Sequence, residues 1–431
     1  MLHPRIPAAD ALHHRGFPDG PRDLLAIAEE PRMRSWRAVP RRFAARRVTV
    51  TTLCAVAALS AAACGSGSSS GSRSSSGSGS SSGSPSASTP QSTQGGNVSA
   101  AQAAVAAFTG KPSAFPVNEP LSKALPAGTK FAFLQCSTPF CALAGRSLQA
   151  AATAIGGTFT AVNAGSTAAT SQAAASSVLA LKPAVVFVTV DPSLYGDGLK
   201  KLSDAGTKIV SISIVKDVKP YGVTFNYIGA DEIKRDGRLL ADWVIAHEGT
   251  KANAVFYALP TFDFSSPLQQ AFEGEMTKNC PSCKVRAVPI DTATIGTTSA
   301  STVVTDLQAH PDTNVAVFSS FQIAAGLPAA MRAVGLSVAT VGRGTTPGNL
   351  QDIKSGGLTA GLAIDVPVST WVAVDSAARL LEGGQPTATE QAGDLDVQFL
   401  EQKDITFNPT NGWFGYPDYM QRFKTLWHTG G

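Results

Sequence analysis

The chain has 431 residues, 43% of them hydrophobic and 15% charged, enough apolar content for two or three folded domains. Its net charge of +4 is carried by the N-terminal end: residues 1–63 hold ten Arg and five acidic residues, a net +5, which leaves −1 for the rest. The basic balance therefore gives no support to nucleic-acid binding by the body of the chain.

The Pro- and Arg-rich stretch before Met33 is unlike a signal n-region, so the true start is expected at Met33, or the stretch is an extension without a role. Arg41, Arg42, Arg46 and Arg47 then precede residues 48–63, which carry no charge and end on Ala61, Ala62 and Ala63 before Cys64. Basic, apolar and small-residue blocks in that order predict an export signal over 1–63. The apolar block is also shorter than the roughly 20 residues a membrane-spanning helix needs. With Cys beside the cut, the segment resembles a bacterial lipoprotein signal, although Ala61 stands where such signals usually carry Leu. The resemblance implies a lipidated Cys64 as the new N-terminus. Residues 65–84 are Gly or Ser apart from Arg73, a composition that stays a flexible coil. A tether over 64–98 would average roughly 30–35 Å end to end, followed by an approach segment over 99–127.

Cys54 lies inside the apolar block, and four further cysteines remain, Cys136, Cys141, Cys280 and Cys283. Their tight spacing in an exported chain favours two disulfides, Cys136–Cys141 and Cys280–Cys283. A zinc site is the alternative for four Cys, disfavoured by the long separation between the pairs.

After a short Ala-rich helix over 100–108, strands and helices alternate. Strands are predicted at 130–135, 158–162, 184–190 and 208–214, with helices at 140–155, 167–181 and 192–205. The scheme changes near 221–229 and then repeats. Helices at 231–247, 265–278, 298–309, 323–334, 347–354 and 370–381 alternate with strands at 252–259, 284–289, 314–319, 338–342 and 358–364. Unbroken apolar runs such as AVVFVTV belong to parallel strands covered on both faces. Two such blocks predict an α/β protein of two Rossmann-like lobes with parallel sheets. Short strands at 395–400 and 404–407 and an amphipathic helix at 417–427 close the chain. Trp413, Phe414, Tyr416, Tyr419 and Trp427 are expected to pack that helix onto the second lobe.

Several stretches carry a family likeness: KFAFLQCSTPFC, LKPAVVFVTVDPS, YIGADEIKRDGRLLADWV, NVAVFSS, VGRGTTPGNLQDIKSGGLTAG and LAIDVP. By their order and spacing, residues from about 128 to 430 resemble the type I periplasmic binding proteins, in particular the ribose/galactose-like sugar-binding group of ABC transporters. Cys136 and Cys141 match a pair that follows the first strand in some lipoprotein members. The likeness implies three chain crossings, near 227–230, 364–368 and 395–400, and closure of the lobes over a small ligand. Lobe 1 is then 128–228 plus 366–395, and lobe 2 is 229–365 plus 396–431.

Ligands in such folds sit beyond the carboxyl ends of the strands. That rule selects Gln135, Ser137, Thr138 and Phe140 after the first strand, and Asp191 after the third. Asp191-Pro192 is equally an N-cap followed by Pro at the first helical position. Phe262, Asp263 and Phe264 follow the strand at 252–259, where sugar-binding relatives often place an Arg. Ser319, Ser320 and Gln322 follow another strand. Arg343 stands in VGRGT, where relatives carry an Asp that accepts sugar hydroxyls, and Asp365 falls on a hinge crossing. Arg donates only, and forks onto carboxylate or phosphate. A cleft with Arg343 opposite Asp191 or Asp365 suits a sugar, a sugar acid or another polar metabolite; alternatively Arg343 pairs with Asp365. Arg343→Ala is expected to abolish binding while leaving the melting temperature of the empty protein nearly unchanged.

Beyond the Gly/Ser tether the sequence has no G-x-S-x-G, H-E-x-x-H or G-x-x-x-x-G-K-[ST] motif. The expectation is a non-enzymatic, monomeric, lipid-anchored binding protein on the outer face of the cell membrane. It would need no cofactor or metal and would hand its ligand to an ABC transporter permease. An anchored sensor feeding a receptor is the second reading, and an enzyme on the same scaffold the third.

Overall fold

A computed structural model describes residues 93–112, 114–393 and 396–430. The export signal and Cys64 lie outside them. The first described helix is α1 (Thr93–Ala106). The first sheet follows, built from β1 (Lys130–Gln135), β2 (Thr158–Asn163), β3 (Val185–Val188), β4 (Lys208–Ile212) and β5 (Phe225–Tyr227). All pair parallel in the order β2-β1-β3-β4-β5. The connecting helices are α2 (Pro139–Ala154), α3 (Ala168–Leu181) and α4 (Gly198–Asp204). All four residues of β3, VVFV, are buried, as a strand covered on both faces requires.

The second block runs α5 (Ala230–Glu248), β6 (Asn253–Ala258), α6 (Ser265–Asn279), β7 (Lys284–Pro289), α7 (Ser299–Ala309), β8 (Val315–Phe318), α8 (Leu327–Ala333), β9 (Ala339–Arg343), α9 (Pro347–Lys354) and β10 (Ala360–Ile364). The chain then returns to the first lobe as α10 (Val366–Leu381) and α11 (Ala388–Ala392), and pairs β11 (Val397–Glu401) antiparallel to β10. The second sheet has the order β11-β10-β9-β8-β6-β7. The helix α10 packs on α2 and β4 of the first lobe. On α5, Gly237 lets α6 approach, since a Cβ there would lie 2.4 Å from the carbonyl oxygen of Leu268.

The predicted α/β architecture is therefore the observed one, with local departures. The helices expected at 192–205 and 323–334 are each a 3₁₀ turn followed by a short helix, interrupted at Gly196 and Gly326, both with positive φ. The short β5 was hidden in its polar Asn226, and 404–407 forms no strand. The helix α10 starts at Val366 instead of 370, because Asp365 caps it and Pro367 fits its first turn.

Trp413 joins the second lobe's hydrophobic core with Leu350, Leu400 and Ile405, but the final helix and its aromatics do not. The final helix, α12 (Tyr419–Leu426), lies against α10: Trp427 stacks on Trp371 at 5.1 Å between ring centroids, and Tyr419 meets Trp371 edge-on. The reason is local: α10 offers buried Trp371, while the Trp427 indole N–H donates to the buried Asp375 carboxylate at 2.6 Å.

Three crossings join the lobes, after β5, after β10 and before β11. Two outer segments run beside them. Near residue 109 the chain leaves α1, which packs on α5, and passes toward α10 and α12, where the Leu121 N–H donates to the Leu426 carbonyl at 2.9 Å. Near residue 415 it comes back to the first lobe, and Pro112, Asp365 and Gly415 meet: a Cβ on Gly415 would clash with the Pro112 ring. The Gly415 N–H donates to Asp365 Oδ2 at 2.8 Å.

Candidate ligand-binding site

The strand ends of both sheets enclose an inner cavity of about 70 Å³ between the lobes. Thr138 and Phe140 enter from the start of α2, where Thr138 is the N-cap and accepts the Cys141 N–H through its hydroxyl. From the second lobe come Phe262 and Phe264, from the loop between β6 and α6, with Ser320 and Gln322 after β8 and Arg343 at the end of β9. An outer chamber of about 280 Å³ shares Thr138 and Phe262 with the inner cavity and is lined by Ser137, Ser166, Thr261 and Thr292. Both disulfides form, Cys136–Cys141 and Cys280–Cys283, and Cys141 lines the inner cavity.

Arg343 is 5% exposed and its partner is Asp236 on α5, whose Oδ2 accepts from Arg343 Nε at 2.8 Å. The other oxygen of Asp236 accepts from Arg235 at 3.1 Å. Arg343 Nη2 is buried with no hydrogen-bond partner. The guanidinium also lies over the Phe264 ring, 5.2 Å from its centroid, which favours the cation electrostatically. Arg343 thus pairs with neither Asp365 nor Asp191.

Asp365 does not line the cavity. Its Oδ1 accepts the Val368 N–H at 3.0 Å, capping α10, and its Oδ2 is taken by Gly415. Burial pushes its carboxyl up to about 7 against the lowering effect of those two bonds. Asp191 caps the turn over Pro192–Tyr195 and pairs with Lys216 at 2.6 Å. Partial burial raises the Asp191 pKa, but the Lys216 ammonium and the Ser193 bonds outweigh it and hold the group below the usual range. Gln135 packs over Gly145 instead of facing the cavity, and the buried Ser319 hydroxyl accepts the Leu259 N–H at 3.1 Å. Ser137 lies in the outer chamber and donates to Asn163 at 3.1 Å.

Hydrogen bonds cross the cleft at Gln322 and at Asp263. Gln322 Oε1 accepts the Phe140 N–H at 3.1 Å. Asp263 Oδ2 accepts the N–H groups of Val215 at 2.8 Å and Lys216 at 3.0 Å. The lobes are therefore closed on each other. Among residues not anticipated from the sequence, Ile212, Ser213, Ile228, Ser369 and Thr370 also line the cavity. Asp236 was legible in principle: it lies among Ile233, Gly237 and Leu240 on the buried stripe of α5, where an unpaired charge would be costly.

Two parallel α/β lobes closed over a shared cavity at their strand ends define a hinged solute-binding protein. The chain belongs to the periplasmic binding protein domain family, whose model matches residues 131–385. No curated protein sequence matches the chain. Solved structures share the fold. The 5-methylthioribose transporter solute-binding protein of Thermotoga lettingae is 16% identical with a TM-score of 0.59, over 72% of this chain and 99% of that one. The myo-inositol binding protein of Caulobacter is 19% identical with a TM-score of 0.56, over 67% and 96%. A glucose-galactose binding protein from Geobacillus stearothermophilus is 15% identical with a TM-score of 0.55, over 65% and 100%.

Proposed function

We propose that this protein is an exported, lipid-anchored monomer that captures a small polar metabolite, a sugar or sugar acid, between its lobes and presents it to an ABC transporter permease. The observation that carries the reading is the cavity itself: side chains from the strand ends of both lobes enclose it, and bonds from Gln322 and Asp263 cross the cleft between the lobes. Such a geometry couples ligand contact to closure, because a guest touching both lobes stabilises the closed state over the open one. Similar folds that bind 5-methylthioribose and myo-inositol support a carbohydrate-like guest. Thr138, Phe140, Phe262, Phe264, Ser320, Gln322 and Arg343 are the proposed contacts. Lipidation at Cys64 and the Gly/Ser tether are supported by the order of basic, apolar and small residues before them.

A thermal-shift screen of sugars, sugar acids, polyols and amino acids tests the capture. A true ligand at 100 times its Kd stabilises by about 2.7 kcal/mol. Failure of every solute to shift unfolding, or turnover of one that does, would reject the reading. Mass spectrometry of membrane-extracted protein tests the anchor, with an acylated N-terminal Cys64 as the expected result.

A further inference from the structure

We propose that the inner cavity selects a small monocarboxylate with a largely apolar or flat body over a neutral polyol, an inference that rests on the solute-trap reading above. The first ground is what the walls lack. Among the described residues no Asp or Glu lines this cavity. A neutral sugar presents hydroxyl donors around its ring, and each one buried without an acceptor loses its hydrogen bonds to water uncompensated.

The wall's own polar groups are largely committed elsewhere. Thr138 caps α2, and Gln322 Oε1 takes the Phe140 N–H. The Ser369 hydroxyl donates to the Val366 carbonyl at 3.0 Å, and the Thr370 hydroxyl bonds Ser147 at 2.6 Å. Ser213 and Ser320 supply further hydroxyls. Phe140, Phe262, Phe264, Ile212, Ile228 and Ile364 make the remaining surface apolar.

The second ground is the one strong group left over. Arg343 Nη2 is buried and unpartnered, while Nε is fixed by Asp236 and the guanidinium carbon lies over the Phe264 ring. A guanidinium nitrogen only donates, and in a dry site the acceptor that satisfies it best is an anionic oxygen. The stacked Phe262 and Phe264 rings, 5.4 Å apart, lie beside it as apolar surface for the body of the guest. One donor without an acceptor, set in an apolar wall free of carboxylates, is the complement of a compact carboxylate.

The test is calorimetric titration of the full chain with three matched pairs: lactate and lactamide, benzoate and benzamide, D-glucuronate and D-glucose. The expected result is that the carboxylate of at least one pair binds tenfold or more tighter than its neutral twin, benzoate more tightly than glucuronate. Arg343→Gln is expected to erase the preference within a pair, while Arg343→Lys, which keeps the charge and the link to Asp236, retains a weakened one. If Arg343→Gln does not fold, the Lys variant and the wild-type pairs still decide. Equal or tighter binding of the neutral twins overturns this inference and leaves the solute trap standing. No binding by either member of any pair to folded wild-type protein overturns the inference, and the trap falls with it if the broader screen is also empty.

Discussion

The carboxylate of Asp263, on the second lobe, holds the backbone N–H of Val215, on the first, at 2.8 Å, and the next N–H, of Lys216, at 3.0 Å. Lys216 in turn reaches Asp191 at 2.6 Å and Asp263 at 3.6 Å, so a cation stands between carboxylates of the two lobes. The bonds of Asp263 span the cleft and are lost when it opens, whereas the Lys216–Asp191 pair lies within the first lobe. Opening gives both amides to water, so their contribution falls on the closed state alone.

Asp263→Ala should therefore shift the empty protein toward the open form by about 1–2 kcal/mol, a modest figure because the site is partly wet. Ligand affinity should fall roughly tenfold, because the ligand must supply the closure the latch no longer supplies. Small-angle scattering reads the change as a larger radius of gyration. An unchanged radius together with an unchanged Kd would remove the latch.

Arg343→Ala removes more than a ligand contact. Asp236 is fully buried and would keep only Arg235, so the variant leaves a poorly compensated buried charge. Breaking a buried pair costs about 3–5 kcal/mol, less here because one cation remains. The sequence-based expectation of an unchanged melting temperature is replaced by a loss of several degrees. The double variant Arg343→Met with Asp236→Leu should recover much of that stability while leaving the preference for a carboxylate absent. Urea denaturation of both proteins checks it: equal stability of wild type and Arg343→Ala would show that the pair contributes nothing.

Asp365 makes stability depend on pH. Its native pKa, pushed up to about 7 by burial, exceeds the unfolded value of about 3.9. The folded chain therefore holds the proton more tightly, and the resulting stabilisation is full below about pH 4 and lost as pH rises to about 7. Burial also raises the Asp375 pKa, in the same direction, while the lowered pKa values of Asp191 and Asp306 act only at more acid pH. The melting temperature should thus rise on acidification from pH 8 to pH 5. Asp365→Asn, which mimics the protonated group, should flatten part of that slope. A slope identical to wild type would show that Asp365 is already ionised in the native state.

Trp427 is completely buried, stacked on Trp371 and bonded to Asp375. Trp427→Ala should cost about 3–5 kcal/mol, from lost burial and the cavity left behind. Trp427→Phe should cost less, since it keeps the stack and loses only the indole bond. Chemical denaturation distinguishes the two, and a loss under about 1 kcal/mol for the Ala variant would mean that the C-terminal helix frays in solution.

What the sequence disclosed follows from range. The VVFV of β3 and the small-residue face of α2 announce parallel strands and their cover through neighbours in the chain. Phe140, Phe262, Phe264 and Arg343 were expected at the strand ends, where such folds bind ligands, and they line the cavity there. Asp191 and Asp365 obey the same rule of position, yet each has a local amide to cap, and that short-range bond decides where the carboxylate points. The partner of Arg343 lies 107 residues away, and no local pattern encodes a pairing of that reach. The return of the chain near Gly415 was illegible for the same reason, so the last helix was expected on the wrong lobe.

The helix α1 packs on α5, and just beyond it the Phe108 carbonyl accepts the Phe399 N–H of β11 at 2.8 Å. Any pull arriving along the polypeptide from residues before 93 is thus delivered to one half of the molecule, the half carrying Arg343. That half becomes the fixed jaw and the other the swinging one, so a mechanical load on the N-terminal end biases which rim sweeps through solution when the mouth opens.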